Sequence, residues 1–406
     1  MRERFLFSWA DGKDSAGQDL RRVPTNAEIA AGYPCGPADK PLHNEVTARG
    51  LMAANELGYL VEVNDLAFDE DDQTQVYQAV IRTHLIPEDM TLYVPAQYPT
   101  IHAARQYLLR YRIAGDANVR IQLGAGDFPI DISTGPLFLD HPDGGRIEIV
   151  GQPLTGTGFP TPTEVDLPNR TTVEQLIRQR FPSRIVITGA VPGFFLLSGT
   201  IKRIKDLAFI GDGTSSQDGI RIGEWVGQIG SGNIKLENVW AHNIGGNGMR
   251  SNYNAAIAGQ NLGATYCGGA GFLAANLSGI QVGGAFISVR NVGAGIAVRD
   301  TSFIEGVVGA ECYFNRNSIG IVAQDMGNAK FRDATRLEIK NNASFGVLNS
   351  WASLLSVPLF VTGGGNGGVD IQSDVGSTAT IPSGTSLTMS PAANTIGNNN
   401  SYNRVA

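Results

Sequence analysis

Gly219-Ile220-Arg221-Ile222, Gly248-Met249-Arg250-Ser251, Gly271-Phe272-Leu273-Ala274, Gly295-Ile296-Ala297-Val298, Gly320-Ile321-Val322-Ala323, Gly346-Val347-Leu348-Asn349 and Gly368-Val369-Asp370-Ile371 are one step, met seven times in the second half of the chain. Each reads glycine, a large apolar residue, any residue, then usually a small or apolar one. The spacing from one glycine to the next is nearly constant along this stretch. A period of roughly 25 with strand-type residues at every recurrence predicts stacked coils. One coil cannot bury its apolar residues alone, whereas a stack shares a continuous core.

Leucine ladders and 3.6-residue periodicity are absent from this stretch, which excludes leucine-rich and helical repeats. Short alternating runs are separated by Gly and Asn, the pattern of strands and tight turns. Gly and Asn tolerate positive φ at coil corners. Asn247, Asn291, Asn317, Asn342 and Asn366 recur just before the step, placed to hydrogen-bond in a stacked column. The predicted fold is all-β: a right-handed, single-stranded parallel β-helix, with a small, partly helical N-terminal part and short helices capping or inserted in the rod. Coils rise by roughly 4.8 Å, so the seven steps predict on the order of 30 Å of rod.

Charged residues are 17 % of the chain and the net charge is −7. Between Ser251 and Met326 the charges are Arg290, Arg299, Asp300, Glu305, Glu311, Arg316 and Asp325, and after Asn341 they are Asp370, Asp374 and Arg404. A polar surface built from Asn, Ser, Thr and Gln suits sugar hydroxyls or a subunit interface. Nucleic acid calls for a basic stripe, so it is not an expected partner. No apolar run is long enough to span a bilayer. Cys35, Cys267 and Cys312 lack metal-ligand spacing and read as buried thiols; no metal or cofactor is expected. Met1–Trp9 is too short in its apolar part for a secretory signal, which points to cytoplasmic synthesis and release by lysis.

Residues 1–88 are built differently from the rod. A Thr25-x-x-Glu28 capping box opens a predicted helix that stops at Gly32. Leu42, Val46, Ala53 and Leu57 mark a second, and Asp69–Asp72 starts a third with Val76, Val80 and Ile81 inward. From residue 89 strands are predicted at Thr91–Val94, Val119–Leu123 and Arg146–Val150. Ile101, Ala104, Leu108 and Tyr111 form one helical stripe, suited to cap the open end of the rod. An excursion at about 151–190 interrupts the coils, with a helix at Val173–Phe181 opened by a Thr171-x-x-Glu174 box. The coils are predicted to run to residue 376 and to stop after Asp374, leaving 377–406 as an extended tail or oligomeric tip.

Two stretches resemble a family. Trp9-Ala10-Asp11 and the run from Pro24 to Glu45 are similar to N-terminal segments of tailed-bacteriophage fibres. Leu92-Tyr93-Val94, Pro99–Ala104, Ile121–Phe128 and His141–Gly151 resemble the opening of pectin-lyase-like β-helices in phage tailspikes and in gene transfer agent spikes. The resemblance ends near Gly151 and contains no catalytic signature. It implies a virion spike, on head or tail, whose residues 1–88 anchor it to other virion proteins. It further implies a β-helix shaft, a homotrimer and attachment to a cell-surface polysaccharide.

Three functions are open at this point: a glycan-binding spike, a polysaccharide depolymerase acting as glycoside hydrolase or lyase, and a purely structural connector. Glycoside hydrolysis needs two carboxylates, about 5–5.5 Å apart for retention. Asp300 and Asp325 stand at the same place in the repeat, each five positions after its glycine, Gly295 or Gly320. They are therefore expected to stack one coil apart. Glu305 and Glu311 complete the candidates. The bland reading of Asp300 and Asp325 is that Asp favours turns. For binding, Trp225, Trp240, Tyr253, Tyr266 and Tyr313 offer rings that stack on sugars; their bland reading is core filling. Trp240-Ala241-His242 is read as setting its two rings on opposite or neighbouring faces without partners, so His242 is not expected to act as a base.

Overall fold

The computed structural model describes residues 85–196, 199–215, 217–223, 232–358, 360–381, 383, 387–390 and 402–405. The N-terminal helices expected within 1–88, Cys35 and Trp225 lie outside these. The chain divides into the units Met1–Ile86 and Pro87–Ala406, and the second is described by itself. It is a right-handed parallel β-solenoid of about 11 turns, as the repeat predicts.

Each coil gives one short strand to a ten-stranded sheet, here the step face, because it carries the repeated step. Phe194, Ile220, Met249, Phe272, Ile296, Ile321, Val347 and Ile371 stand in one register column. All are fully buried. Strand side chains alternate, so the second and fourth residues of each step point inward and the third points out. The interior is filled by stacked rings, including Phe272–Phe286–Phe314–Phe331 with centroids 4.7, 5.1 and 5.6 Å apart.

The repeat glycines are needed for closeness rather than for φ. A Cβ on Gly295 would lie 2.5 Å from the carbonyl oxygen of Gly320, and one on Gly320 would lie 2.5 Å from that of Gly346. Positive φ falls instead on non-glycine corner residues. Tyr253, Asn276, Asp300, Asp325, Trp351 and Val375 form one left-handed column, with φ from +45° to +58°.

After that corner each coil enters a second ladder. In the strands Gly199–Gly211, Gly232–His242, Ala256–Thr265 and Gly279–Val289 it is creased lengthwise at Asp206, Asn238, Asn261 and Gly284, all at positive φ. Asn238 Nδ2 donates to Asp206 Oδ1 at 2.6 Å and Asn261 Nδ2 to Asn238 Oδ1 at 2.9 Å, which ties the crease from coil to coil. Further on, the long strand becomes two, Phe303–Gly306 and Glu311–Asn315, each pairing with one limb of Gly279–Val289. The first limb carries an ionic ladder on its outer side: Arg120–Glu148–Arg203–Glu237–Lys205, with contacts of 2.6, 2.7, 3.2 and 2.5 Å.

The second limb carries apolar residues outward and therefore needs a cover. The excursion supplies it with α2 (Pro162–Val165) and α3 (Arg170–Arg180), while α1 (Ile101–Leu108) belongs to the N-terminal end of the rod. Leu154, Phe159, Val165, Val173, Ile177 and Phe181 pack on Ala208, Ile210, Trp240, Ile287 and Val289. Asp166 clamps the excursion to successive coils through Arg290 and Arg316 at 3.1 and 2.8 Å.

Several sequence readings are corrected. The last step is Asp370-Ile371-Gln372-Ser373, not Gly368-Val369-Asp370-Ile371, since Val347 pairs with Ile371. The Asp370 carboxylate accepts from Gly364 N, Asn366 Nδ2 and Thr388 N, a role glycine cannot fill. The amide column holds Asn291, Asn317, Asn342 and Asn366, each side-chain oxygen accepting from the residue one coil before at 2.8–2.9 Å. Cys267 begins it, and Asn247 belongs elsewhere. The second excursion helix is capped by Asn169, whose side chain accepts from Thr172 N, not by a Thr171 box. Tyr111 lies beyond α1, which ends at Leu108. Stacking also continues past Asp374: Thr378–Ile381 pairs with Leu354–Ser356, and Met389–Ser390 with Ile371–Ser373.

Candidate functional site

The third residue of each step forms an outward row on the step face. Read along the rod it is Phe138, Phe195, Arg221, Arg250, Leu273, Ala297, Val322, Leu348 and Gln372. It begins as an aromatic pair, passes through two guanidiniums and then turns largely apolar.

The Phe138 and Phe195 rings meet at 5.5 Å and both are half-buried. Arg105, from α1, lies 6.0 Å over Phe138, and Arg221 lies 5.9 Å over Phe195. A guanidinium over a ring face is held by the ring quadrupole. Each cation is also fixed by a carboxylate: Arg105 to Asp140 and Arg221 to Asp218, both at 2.6 Å. Asp218 is buried, and its other oxygen accepts from Asn247 N at 2.7 Å and Asn247 Nδ2 at 3.1 Å. These contacts hold two rings and their flanking cations in a fixed row on rigid strands. Such a row presents two partly exposed aromatic rings beside guanidinium hydrogen-bond donors on one face of the rod. No outward strand position in the row from Phe138 to Gln372 is a carboxylate, so the row does not host the paired acids of a glycosidase.

The residues singled out in the sequence fall elsewhere. Asp300 and Asp325 are one coil apart in the left-handed corner column, where Thr301 N donates to Asp325 O at 3.0 Å. Both are exposed on that turn. Glu305, on the first limb, accepts from Gln281 Nε2 at 2.8 Å and pairs in register with Lys330. Glu311, on the second limb, accepts from the Tyr313 hydroxyl at 3.0 Å. The four acids thus divide among a corner and two limbs. Tyr253 heads the corner column above Asp300.

Trp240, Tyr266 and Tyr313 gather on the second limb, but the excursion packs on them. Trp240 is fully buried there and fills that core. Tyr266 donates its hydroxyl to Leu167 O, and Tyr313 carries Arg336 5.5 Å over its ring. Burial and the hydrogen bond to Glu311 raise the Tyr313 hydroxyl above the usual phenol range.

Trp240 and His242 share one face and one partner, contrary to the sequence reading. Trp240 Nε1 donates to Thr265 Oγ1 at 3.0 Å, and His242 Nδ1 lies 2.9 Å from the same oxygen. The indole lies against Gly263, where a Cβ would come within 2.1 Å of the ring. Burial, then the Arg170 and Arg178 charges, push the imidazole down to about 3, so it is neutral. Cys267 and Cys312 are buried thiols, and burial pushes Cys267 up to about 12. Among the described residues no group of three or more His, Cys, Asp or Glu is placed to hold a metal ion.

No protein-family model matches the chain. No curated protein matches it by sequence. Among solved structures, the A-module of the Azotobacter vinelandii mannuronan C-5 epimerase AlgE4 is similar at 15% identity and TM-score 0.44, over 65% of this chain and 69% of that one. The AlgE6 A-module from the same organism is similar at 13% identity and TM-score 0.44, over 71% and 91%. The catalytic domain of a GH87 alpha-1,3-glucanase in complex with nigerose is similar at 13% identity and TM-score 0.30, over 78% and 68%.

Proposed function

We propose that this chain is the glycan-binding β-helix of a spike on a phage-like particle. In this reading the step face holds a cell-surface polysaccharide, and residues 1–88 attach the rod to other virion proteins. The observation that carries the binding part is the Phe138–Phe195 pair, partly exposed and bracketed by Arg105 and Arg221. A row of strand-borne rings is preorganised, so binding a sugar orders little that is not already ordered. The virion part is supported by the resemblance of the stretch up to Gly151 to tail fibres and tailspikes. A homotrimer would add avidity to weak single sites.

The test is retention of the purified protein on candidate host cells, with release of reducing or unsaturated sugar ends followed in the same tubes. Retention without new ends is expected. Phe138→Ala with Phe195→Ala is expected to abolish retention by protein that still unfolds cooperatively, at a stability cost of about 1–2 kcal/mol for each partly buried ring. Retention that survives the double substitution would remove the step face as the site.

A further inference from the structure

We infer that the left-handed corner is a contact face for a second copy of this chain, with Leu277, Met326 and Trp351 as its apolar anchors. The inference goes beyond the glycan-binding reading. Its test needs no sugar, so the two can fail separately.

At this corner each coil places two consecutive residues at left-handed φ. The first row is Tyr253, Asn276, Asp300, Asp325, Trp351 and Val375, and the second is Asn254, Leu277, Thr301, Met326, Ala352 and Gly376. The backbone N–H of each second-row residue from Asn254 to Ala352 donates to the first-row carbonyl of the next coil at 2.8–3.1 Å. The corner is therefore a hydrogen-bonded, straight edge. Its second row begins with Asn and ends with Gly, which adopt this φ most readily. Between them stand Leu277 and Met326 at φ +64° and +62°, with Trp351 at +58° in the first row. A large L side chain carries a steric cost there that Asn or Gly avoids. The core does not use these side chains either, since Leu277, Met326 and Trp351 are 60, 60 and 58% exposed. Leu354, three residues after Trp351, is exposed as well. Strained backbone kept under solvent-facing apolar residues points to a use outside the fold.

The charges on the edge identify the occupant. Arg299, Asp300 and Asp325 are exposed, and among the described residues none forms an ion pair or side-chain hydrogen bond with them. A partner surface of one sign would satisfy the acids or the arginine and leave the other facing its like. A second copy brings both signs. It also brings the same rise of roughly 4.8 Å per coil. In parallel register each apolar row then meets its own kind, and each Arg299 faces the acids of the neighbouring copy. From Leu277 to Ala352 the edge covers three coil steps, on the order of 15 Å. That is short of a standard interface, so association is expected to depend on concentration.

The test is sedimentation of the full chain, without sugar, between about 1 and 100 μM. A reversible rise in mass is expected. Trp351→Gln with Met326→Gln is expected to weaken association about tenfold. Arg299→Glu makes the charges of the edge all acidic, and Asp300→Lys with Asp325→Lys makes them all basic. Each of these variants is expected to associate at least about fivefold more weakly alone, and the mixture to associate again. Thermal unfolding checks that the variants are folded. If one is not, association of the unaltered protein between about 20 and 300 mM salt takes its place, with weakening expected. Association indifferent to the substitutions, or to salt, would put the contact on another face and overturn the inference. A chain that stays single would overturn it too. Hydroxyl-radical labelling of Trp351 in that single chain would then show whether a segment of the same chain covers the corner.

Discussion

The second limb and the step face both turn apolar side chains outward, and the chain treats them differently. On the second limb, Ala208, Ile210, Trp240, Ile287 and Val289 are buried under a helical excursion that Asp166 clamps to two arginines. On the step face, Ala297 and Val322 are buried in a small cluster with Ala270, Leu273 and Ile319, while Phe138, Phe195 and Leu348 stay partly exposed. The helical excursion covers the second limb, and the Phe138–Phe195 end of the step face keeps its rings partly open. A rigid aromatic row left open beside two guanidiniums is therefore the better place to look for a ligand.

The covered limb breaks first. Trp240→Ala removes the largest fully buried side chain and leaves its cavity under the excursion. A loss of about 3–5 kcal/mol is expected in denaturant unfolding, with new proteolysis between Gly156 and Asp166. A small loss would mean that the excursion is only loosely seated.

The amide column comes next. Asn317→Ala removes the side-chain oxygen that accepts from Asn291 N and Nδ2, and the amide that donates to Ser288 O. About 2–3 kcal/mol is expected from leaving these buried groups unpaired.

His242 then sharpens the contrast through pH. Its folded value of about 3 lies below the ordinary imidazole value of 6.5. Folding therefore excludes a proton that the unfolded chain takes up. The neutral ring's contribution is full above about pH 6.5 and is lost as pH falls toward 3. Between pH 7 and 4 the wild type is expected to lose on the order of 2 kcal/mol more than His242→Phe. Equal acid slopes in urea titrations would show that His242 is not held neutral.

The smallest effect belongs to the corner. Asp300→Asn and Asp325→Asn alter solvent-facing turn residues, and stability is expected to move by less than about 0.5 kcal/mol. Glycan retention is expected to be unchanged. Release of sugar ends that disappears in both variants would instead make the protein a depolymerase.

The architecture is legible in the sequence because its cause is local and periodic: a glycine wherever the next coil's carbonyl would come within 2.5 Å of a Cβ, as at Gly295 and Gly320. The same rule explains the error at Gly368. In the last coil Asp370 takes the position and uses its carboxylate for capping, so the glycine cue fails where the role of the position changes. Asn247 misleads because Asn serves two ends, the amide column and the support of Asp218.

The site is legible in principle and easily passed over. A step written as glycine, apolar, any, small discards its third residue, and that residue is the outward one. Reading it down the repeats yields Arg221, Arg250, Leu273, Ala297, Val322 and Leu348 directly. Residue type alone does not separate a ring facing solvent from one beneath the excursion, which is why Trp240 stands out in the sequence and lies buried in the fold. Phe138 and Phe195 escape the sequence reading because the excursion falls between their coils. The chain from Phe138 to Phe195 is more than twice as long as that from Phe195 to Arg221, so the period is hidden there.

The most direct test is side-chain footprinting by hydroxyl radicals, with and without a retained polysaccharide. Loss of labelling at Phe138 and Phe195, with Tyr266, Tyr313 and the Asp300–Asp325 corner unchanged, is the result the account predicts. Protection at Tyr266 and Tyr313 with the phenylalanines still labelled would place the ligand at the edge of the excursion and contradict it.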